Sequence, residues 1–103
     1  MASRVHVGKL DEIPPGSVRL VQAGPRPLAV FHLEKALVAV DDRCPHRAGP
    51  LSEGELVGSE ITCPWHGSRF DLSTGKKILG PSVRDLTCFE VVVENGEVWV
   101  ELP

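Results

Sequence analysis

Apolar residues recur at every second position in most parts of the chain. The alternating sets are Val5 and Val7, Val18 and Leu20, Ala36 with Val38 and Val40, Val91 and Val93, and Val98 and Val100. A spacing of two is typical of strands with one buried face. No window of ten residues free of glycine and proline carries a clear helical stripe, and ten Gly and nine Pro divide the sequence into short pieces. The pattern predicts an all-β fold.

Turn residues place three hairpins. Asn95-Gly96 separates the runs 88–94 and 97–102, and Asn-Gly suits a type I′ turn because both central residues need a positive φ. Gly58-Ser59 separates 55–57 from 60–62 and predicts a second hairpin. A third is predicted where Glu34-Lys35 separates 28–33 from 36–40, although these two residues are poor turn formers.

The residue pattern between residues 42 and 82 differs from that of the flanking segments. Turn residues are dense there and the strand-like runs are short, whereas the runs on both sides are longer. A chain of 103 residues with 42% apolar composition suffices for one compact domain. We therefore predict a single domain, residues 1–103, in which a basal β scaffold (1–41 and 83–103) carries a small insert (42–82).

Charge and composition exclude several classes of partner. The net charge is only −3 and the basic residues are dispersed, so neither a nucleic acid nor an anionic membrane is an expected partner. The longest apolar run, 36–40, falls far short of the roughly 20 residues that cross a bilayer, and the N-terminus lacks the apolar core of a signal peptide. Three cysteines argue against a disulfide framework and favour a reducing compartment. A cytoplasmic monomer is expected.

Two short segments carry the candidate chemistry. Cys44-Pro45-His46 and Cys63-Pro64-Trp65-His66 each supply one thiol and one imidazole. Structural zinc sites tend to pair Cys with Cys and His with His at wider spacings. The mixed pairs favour a [2Fe–2S] cluster in which both cysteines bind one iron and both histidines the other, and a zinc-stabilised structural module is the alternative.

Sulfur atoms in such a cluster also need backbone N–H donors from loops that approach closely. Gly49, Gly67 and Gly80 would leave room for that approach because they carry no Cβ.

The ligand segments resemble the two binding motifs of Rieske ferredoxins. The matching stretches are 44–51 (CPHRAGPL) and 63–71 (CPWHGSRFD), and the likeness extends to 71–75, to Gly80-Pro81, which is similar to the third loop covering the cluster, and to the closing hairpin. The resemblance implies three stacked antiparallel sheets, with a cluster-binding subdomain inserted in a basal β domain. It also implies a Rieske-type [2Fe–2S] cluster held by Cys44, His46, Cys63 and His66.

Departures from the family narrow the functional class. Respiratory and photosynthetic members carry an extra cysteine in each loop and a membrane anchor, whereas Gly49 and Trp65 occupy the matching positions here. The chain is therefore similar to soluble ferredoxins of ring-hydroxylating dioxygenases. That similarity implies an electron carrier, not itself an enzyme, that docks transiently with a flavin-dependent NAD(P)H reductase and a terminal oxygenase. The small subunit of an assimilatory nitrite reductase is the alternative.

Two residues of the second motif bear on the reduction potential. The resemblance implies that a serine and a tyrosine hydrogen-bond sulfur in high-potential members; Ser68 matches the first, but Phe70 replaces the second. Fewer donors predict a potential in the lower part of the Rieske range of about −150 to +300 mV. Oxidation should also lower the pKa values of His46 and His66, so the midpoint potential should fall with pH once they titrate.

The remaining cysteine, histidine, tryptophan and arginine side chains are assigned no part in ligation. Cys88 begins an apolar run and is predicted to be a small buried residue without chemistry. His6 and His32 are predicted to pack in the core or to lie at the surface. Trp99 is predicted to pack in the core or in its hairpin, and Trp65 to pack in its loop, shield the cluster or contact a partner. Solvated loop charge, or steering of an acidic partner, is expected of Arg43, Arg47 and Arg69.

Overall fold

The computed structural model describes residues 3–34, 36–43, 50–65, 67–80 and 85–102. Within these ranges the strands are β1 (Ser3–Lys9), β2 (Val18–Ala23), β3 (Arg26–His32), β4 (Leu37–Asp41), β5 (Glu55–Val57), β6 (Glu60–Thr62), β7 (Arg69–Asp71), β8 (Lys77–Leu79), β9 (Cys88–Glu94) and β10 (Glu97–Leu102). Two short 3₁₀ turns cover Leu10–Glu12 and Leu51–Glu53, and the described residues contain no α-helix. The all-β prediction is confirmed.

The strands form two antiparallel sheets. A six-stranded sheet has the order β1-β10-β9-β4-β3-β2, and a four-stranded sheet has the order β5-β6-β7-β8. The larger sheet consists of two three-stranded halves, and within the described residues the ladder that joins them is short: Ala39 and Val40 pair with Phe89 and Cys88. This short ladder explains why the described residues form two sheets where the resemblance implied three.

Both two-residue hairpins are confirmed. Glu94 pairs with Glu97, and Asn95 and Gly96 have φ values of 52° and 77°, the signs of a type I′ turn. Val57 pairs with Glu60 around Gly58-Ser59. The predicted pairing of β3 with β4 is also confirmed, since His32 pairs with Leu37, although Lys35 in that turn lies outside the described residues.

A further hairpin joins β2 to β3 and was not among the predicted ones. Ala23 pairs with Arg26 across Gly24-Pro25, and Gly24 has a φ of 63°. A glycine with positive φ followed by a residue with negative φ is the arrangement of a type II′ turn, and proline fixes φ near −65°. The dipeptide could have been read as a turn signal.

β3 separates two hydrophobic cores. Leu28 and Val30 point into the core enclosed by the six-stranded sheet, which also contains Val98 and Val100. Ala29 and Phe31 point the opposite way, into the core between the two sheets; the other buried members of this interlayer core are Leu33, Val40, Leu51, Ile61, Cys63, Phe70, Leu72 and Leu86. Alternate side chains on one strand therefore support the scaffold and the smaller sheet at once.

Candidate metal centre

One of the four predicted ligands lies within the described structure. Cys63 directly follows β6, is 2% exposed and has a free thiol. Cys44, His46 and His66 lie outside the described residues, so the convergence of all four side chains stays a prediction. Among the residues that are described, no three His, Cys, Asp or Glu side chains are arranged to hold a metal ion.

The second predicted ligand segment connects β6 to β7. Backbone hydrogen bonds hold its two ends together at what we call the second neck (Cys63, Gly67 and Ser68). The backbone N–H of Cys63 donates to the Ser68 carbonyl at 2.8 Å, and the Gly67 N–H donates back to the Cys63 carbonyl at 3.1 Å. Gly67 has a φ of 74°, a left-handed conformation that glycine adopts without strain. Trp65 lies in this loop and is 57% exposed, so it does not pack into either core.

Gly80 brings a third segment against this loop. A Cβ at Gly80 would lie 2.5 Å from the Ser68 Cα and 3.0 Å from its nitrogen, and the φ of Gly80 is 108°. Ser68 itself is fully buried. The room that the sequence predicted at Gly80 is therefore taken by the Ser68 backbone, while Gly49 lies outside the described residues.

The two ends of the first ligand segment are joined next to the scaffold, at what we call the first neck (residues 41–43 and 50–52). Arg43 and Pro50 form an isolated antiparallel bridge across residues 44–49, and the Leu51 N–H donates to the Asp42 carbonyl at 2.7 Å. The Asp42 side chain accepts a further bond, 2.7 Å long, from the Ser52 N–H. Burial raises the pKa of Asp42, which is only 7% exposed, against the opposing effect of the hydrogen bond from the Ser52 N–H.

Asp41 fixes the residue immediately before Cys44. One carboxylate oxygen accepts the Arg43 backbone N–H at 2.9 Å, and both oxygens accept its guanidinium at 3.0 Å. Burial opposes ionisation of Asp41, but the Arg43 bonds outweigh it and hold its pKa below the usual value.

The predicted charges beside the ligands are partly matched by neighbouring carboxylates. Arg43 is paired with Asp41, and an Arg69 guanidinium nitrogen lies 3.8 Å from a Glu60 oxygen. Arg47 lies outside the described residues. The pairing favours solvated loop charge over steering for Arg43 and Arg69.

Gly54 lies where the segment after the first neck passes the strand that leads into the second neck. The sequence analysis did not single out this residue. Its N–H donates to the Leu51 carbonyl at 3.0 Å, and a Cβ at this position would lie 2.1 Å from the Thr62 carbonyl oxygen, one residue before Cys63. Only glycine allows the segment after the first loop to pass this close to the strand that leads into the second.

The predicted burial of Cys88 is wrong. Its partner Val40 is fully buried, but Cys88 is an exposed residue at the start of β9. Its sulfur nevertheless packs close to Gly75, and burial of that atom, assisted by the charge of Asp85, raises the pKa of the thiol.

The two histidines outside the motifs make local contacts. A His6 ring nitrogen lies 2.8 Å from a Glu97 carboxylate oxygen, and its ring centroid is 4.7 Å from that of Trp99. His32 is bonded through Nδ1 to the Ile13 carbonyl at 2.5 Å.

Among the described residues, Cys63 and the backbone around it fit an iron–sulfur cluster. Thiolate and imidazole ligands on two loops are the donor set of a Rieske centre. Cys63 offers a buried free thiol, and the N–H bonds at the neck hold its loop in shape. Phe70 is fully buried in the interlayer core and supplies no hydroxyl.

Comparisons with known proteins agree with this chemistry. The family model of the Rieske [2Fe-2S] domain matches residues 3–90. The ferredoxin component of the naphthalene 1,2-dioxygenase/salicylate 5-hydroxylase systems of Ralstonia sp is 38% identical over 93 residues, which cover 90% of this chain and 89% of that one. Ferredoxin CarAc of Metapseudomonas resinovorans is 41% identical over 91 residues, or 87% and 85% of the two chains.

Solved structures share the fold. A chain in the complex of reduced oxygenase and oxidized ferredoxin in carbazole 1,9a-dioxygenase superimposes with a TM-score of 0.89 at 39% identity, covering 94% of this chain and 91% of that one. The ferredoxin of carbazole 1,9a-dioxygenase from Nocardioides aromaticivorans IC177 gives a TM-score of 0.87 at 30% identity, covering 95% and 96%.

Proposed function

Because the chain belongs to the Rieske [2Fe-2S] domain family, we propose that it is the one-electron carrier of a ring-hydroxylating oxygenase system. The observation that carries the proposal is its near full-length similarity to the ferredoxin component of the naphthalene 1,2-dioxygenase/salicylate 5-hydroxylase systems, at 38% identity, and to Ferredoxin CarAc, at 41%. The chain carries a Rieske-type [2Fe–2S] cluster, which accepts and releases one electron at a time.

Cys44 and Cys63 are proposed to bind one iron, and His46 and His66 the other. The burial of the free Cys63 thiol supports this assignment, as does the closure of both loops at their necks. Ligands held rigidly in this way change position little when the electron arrives or leaves.

The proposed domain division also follows from this site. Residues 1–41 and 83–103 would form the basal scaffold, and residues 42–82 the cluster-binding insert. The division is supported by the sheets, since β5 to β8 form the smaller one and the remaining strands the larger one.

Electrons would come from a flavin-dependent NAD(P)H reductase and pass to a terminal oxygenase. The complex of oxygenase and ferredoxin among the similar structures supports the second partner. Docking would be weak and brief, because a carrier must leave one partner to reach the other. The ferredoxin names of the relatives favour this carrier over a subunit of a nitrite reductase, and family membership favours a cluster over zinc.

We further propose that the carrier works as a cytoplasmic monomer. No helix in the described part of the chain is long and apolar enough to span a membrane. The odd number of cysteines suits a reducing compartment.

Stopped-flow transfer tests the function directly. The chain is loaded with its cluster and mixed anaerobically with NADH and the reductase of the related Ralstonia naphthalene system, and then with that system's oxygenase. We expect reduction by the first mixture and reoxidation by the second, and neither with the Cys63→Ser variant. A loaded chain that the reductase cannot reduce, or that isolates only in a stable complex with another subunit, would contradict a diffusing carrier.

A further inference from the structure

Two adjacent carboxylates hold the scaffold end of the first ligand loop. Asp41 and Asp42 directly precede Arg43, which bridges to Pro50 across the loop. Neither aspartate is among the predicted ligands, but both lie where the chain enters the loop.

Asp41 fixes how the chain enters the loop. Its carboxylate accepts the backbone N–H of the residue two positions later, which is the hydrogen bond of an Asx turn. The same carboxylate holds the Arg43 guanidinium through two bonds of 3.0 Å, and its side chain is only 17% exposed. This side chain therefore holds the backbone immediately before Cys44, together with the bridge from Arg43 to Pro50.

Asp42 fixes how the chain leaves the loop. Its carboxylate accepts the Ser52 N–H and its carbonyl accepts the Leu51 N–H, both at 2.7 Å. Its own N–H donates to the Pro27 carbonyl at 2.9 Å, which ties the neck to the start of β3. Asp42 thus connects three separate stretches of backbone.

The second loop is closed differently. Its neck depends on the bonds between the backbones of Cys63, Gly67 and Ser68. Removing a side chain can loosen the first neck, whereas these backbone hydrogen bonds of the second neck survive such a change.

We propose that Asp41 and Asp42 are positioning residues that set the width of the first loop's neck and thereby hold Cys44 and His46 in register with Cys63 and His66. The inference rests on the proposed cluster ligation. Partners that orient metal ligands typically contribute about 10- to 100-fold to metal affinity.

Iron release from the loaded chain tests the inference. We compare wild type with Asp42→Ala, which removes the acceptor, and Asp42→Asn, which keeps one, and Asp41 is treated in the same way. Glu12→Ala is the matched control, because the Glu12 carboxylate also accepts a backbone N–H, from Lys9 at 2.9 Å, with an arginine 4.0 Å away, but lies in the scaffold. The readouts are the rate of iron transfer to a chelator and the g values of the reduced cluster.

We expect release about tenfold faster or more in the alanine variants, with shifted or broadened g values, and near wild-type behaviour in the asparagine variants and in Glu12→Ala. Should Asp42→Ala fail to fold, the comparison of Asp41→Ala with Asp41→Asn tests the inference, because Asp41 is more exposed. Alanine variants that retain wild-type release rates and g values would overturn the inference while leaving the carrier function intact. A wild-type chain that binds no cluster would overturn both.

Discussion

The two sheets of this molecule differ in how they are stabilised. The strands of the six-stranded scaffold have five to seven residues and enclose a core of their own. Each strand of the smaller sheet has three residues, and its buried side chains share the interlayer core with β3 and β4. Strands this short are not stable alone. The smaller sheet therefore depends on the scaffold below it and, in our account, on the cluster at its end.

Because the scaffold has a core of its own, removing a cluster ligand should abolish the cluster and leave the scaffold folded. Cys63→Ser should lose all visible absorption and the signal of the reduced cluster, because a thiolate ligand is gone. Far-ultraviolet circular dichroism should keep its β signature. The matched control is Cys88→Ser, which changes the exposed cysteine of β9 and should load normally. Loss of the cluster in the control alone would contradict the assignment.

Removing a side chain from the shared core should destabilise both sheets together. Phe31 lies on a scaffold strand but points into the interlayer core, and it is 1% exposed. Phe31→Ala should lower the free energy of unfolding by about 3–5 kcal/mol, from lost burial and the cavity left behind.

Urea denaturation followed by fluorescence and by circular dichroism measures this change. Coincident transitions are expected for wild type and variant. If the variant lost the smaller sheet at a much lower urea concentration than the scaffold, the shared core would not couple them.

A methyl group at Gly54 should disturb the smaller sheet by forcing the two necks apart. Because its Cβ would lie 2.1 Å from the Thr62 carbonyl, Gly54→Ala should cost about 1–3 kcal/mol of unfolding free energy. It should also slow cluster uptake.

Gly58→Ala is the control in the same sheet. Its Cβ would meet nothing within 4 Å, and only the φ of 62° opposes the substitution, so about 1–2 kcal/mol is expected with normal uptake. Equal uptake by the two variants would argue against contact between the necks.

The smallest predicted effect concerns the potential. Phe70→Tyr restores the hydroxyl that the family resemblance associates with high-potential members, and a bond to sulfur would stabilise the reduced cluster. One such bond is worth roughly 0.5–1.5 kcal/mol, so the midpoint should rise by roughly 20 to 65 mV at most for one electron. An unchanged or lower midpoint in a redox titration would mean that the hydroxyl does not reach sulfur.

Local sequence signals predicted the hairpins better than the layers. Asn95-Gly96 and Gly58-Ser59 act through their own backbone preferences, and both turns formed as expected. The joining of β4 to β9 depends on a two-residue ladder between distant segments, which no local pattern reveals. Gly24-Pro25 is a further local turn signal, because glycine permits the positive φ and proline the negative φ that this turn needs.

At the candidate site, too, local patterns were informative and contacts between distant segments could not be predicted. The spacing of cysteine and histidine predicted the cofactor class, which family membership confirms. It could not predict that Gly54 passes against Thr62, because that contact depends on how two short strands pack. Cys88 was misjudged because its apolar run predicts burial, whereas only its sulfur is covered.

The most direct test of the account is magnetic resonance of the purified chain after anaerobic reconstitution and reduction. We predict two irons and two acid-labile sulfides per chain, a rhombic signal, and hyperfine coupling to two imidazole nitrogens that changes when histidine carries nitrogen-15. The coupling should disappear when His46 and His66 are replaced. A colourless chain without iron, or a cluster without nitrogen coupling, would contradict a [2Fe–2S] cluster bound by two histidines.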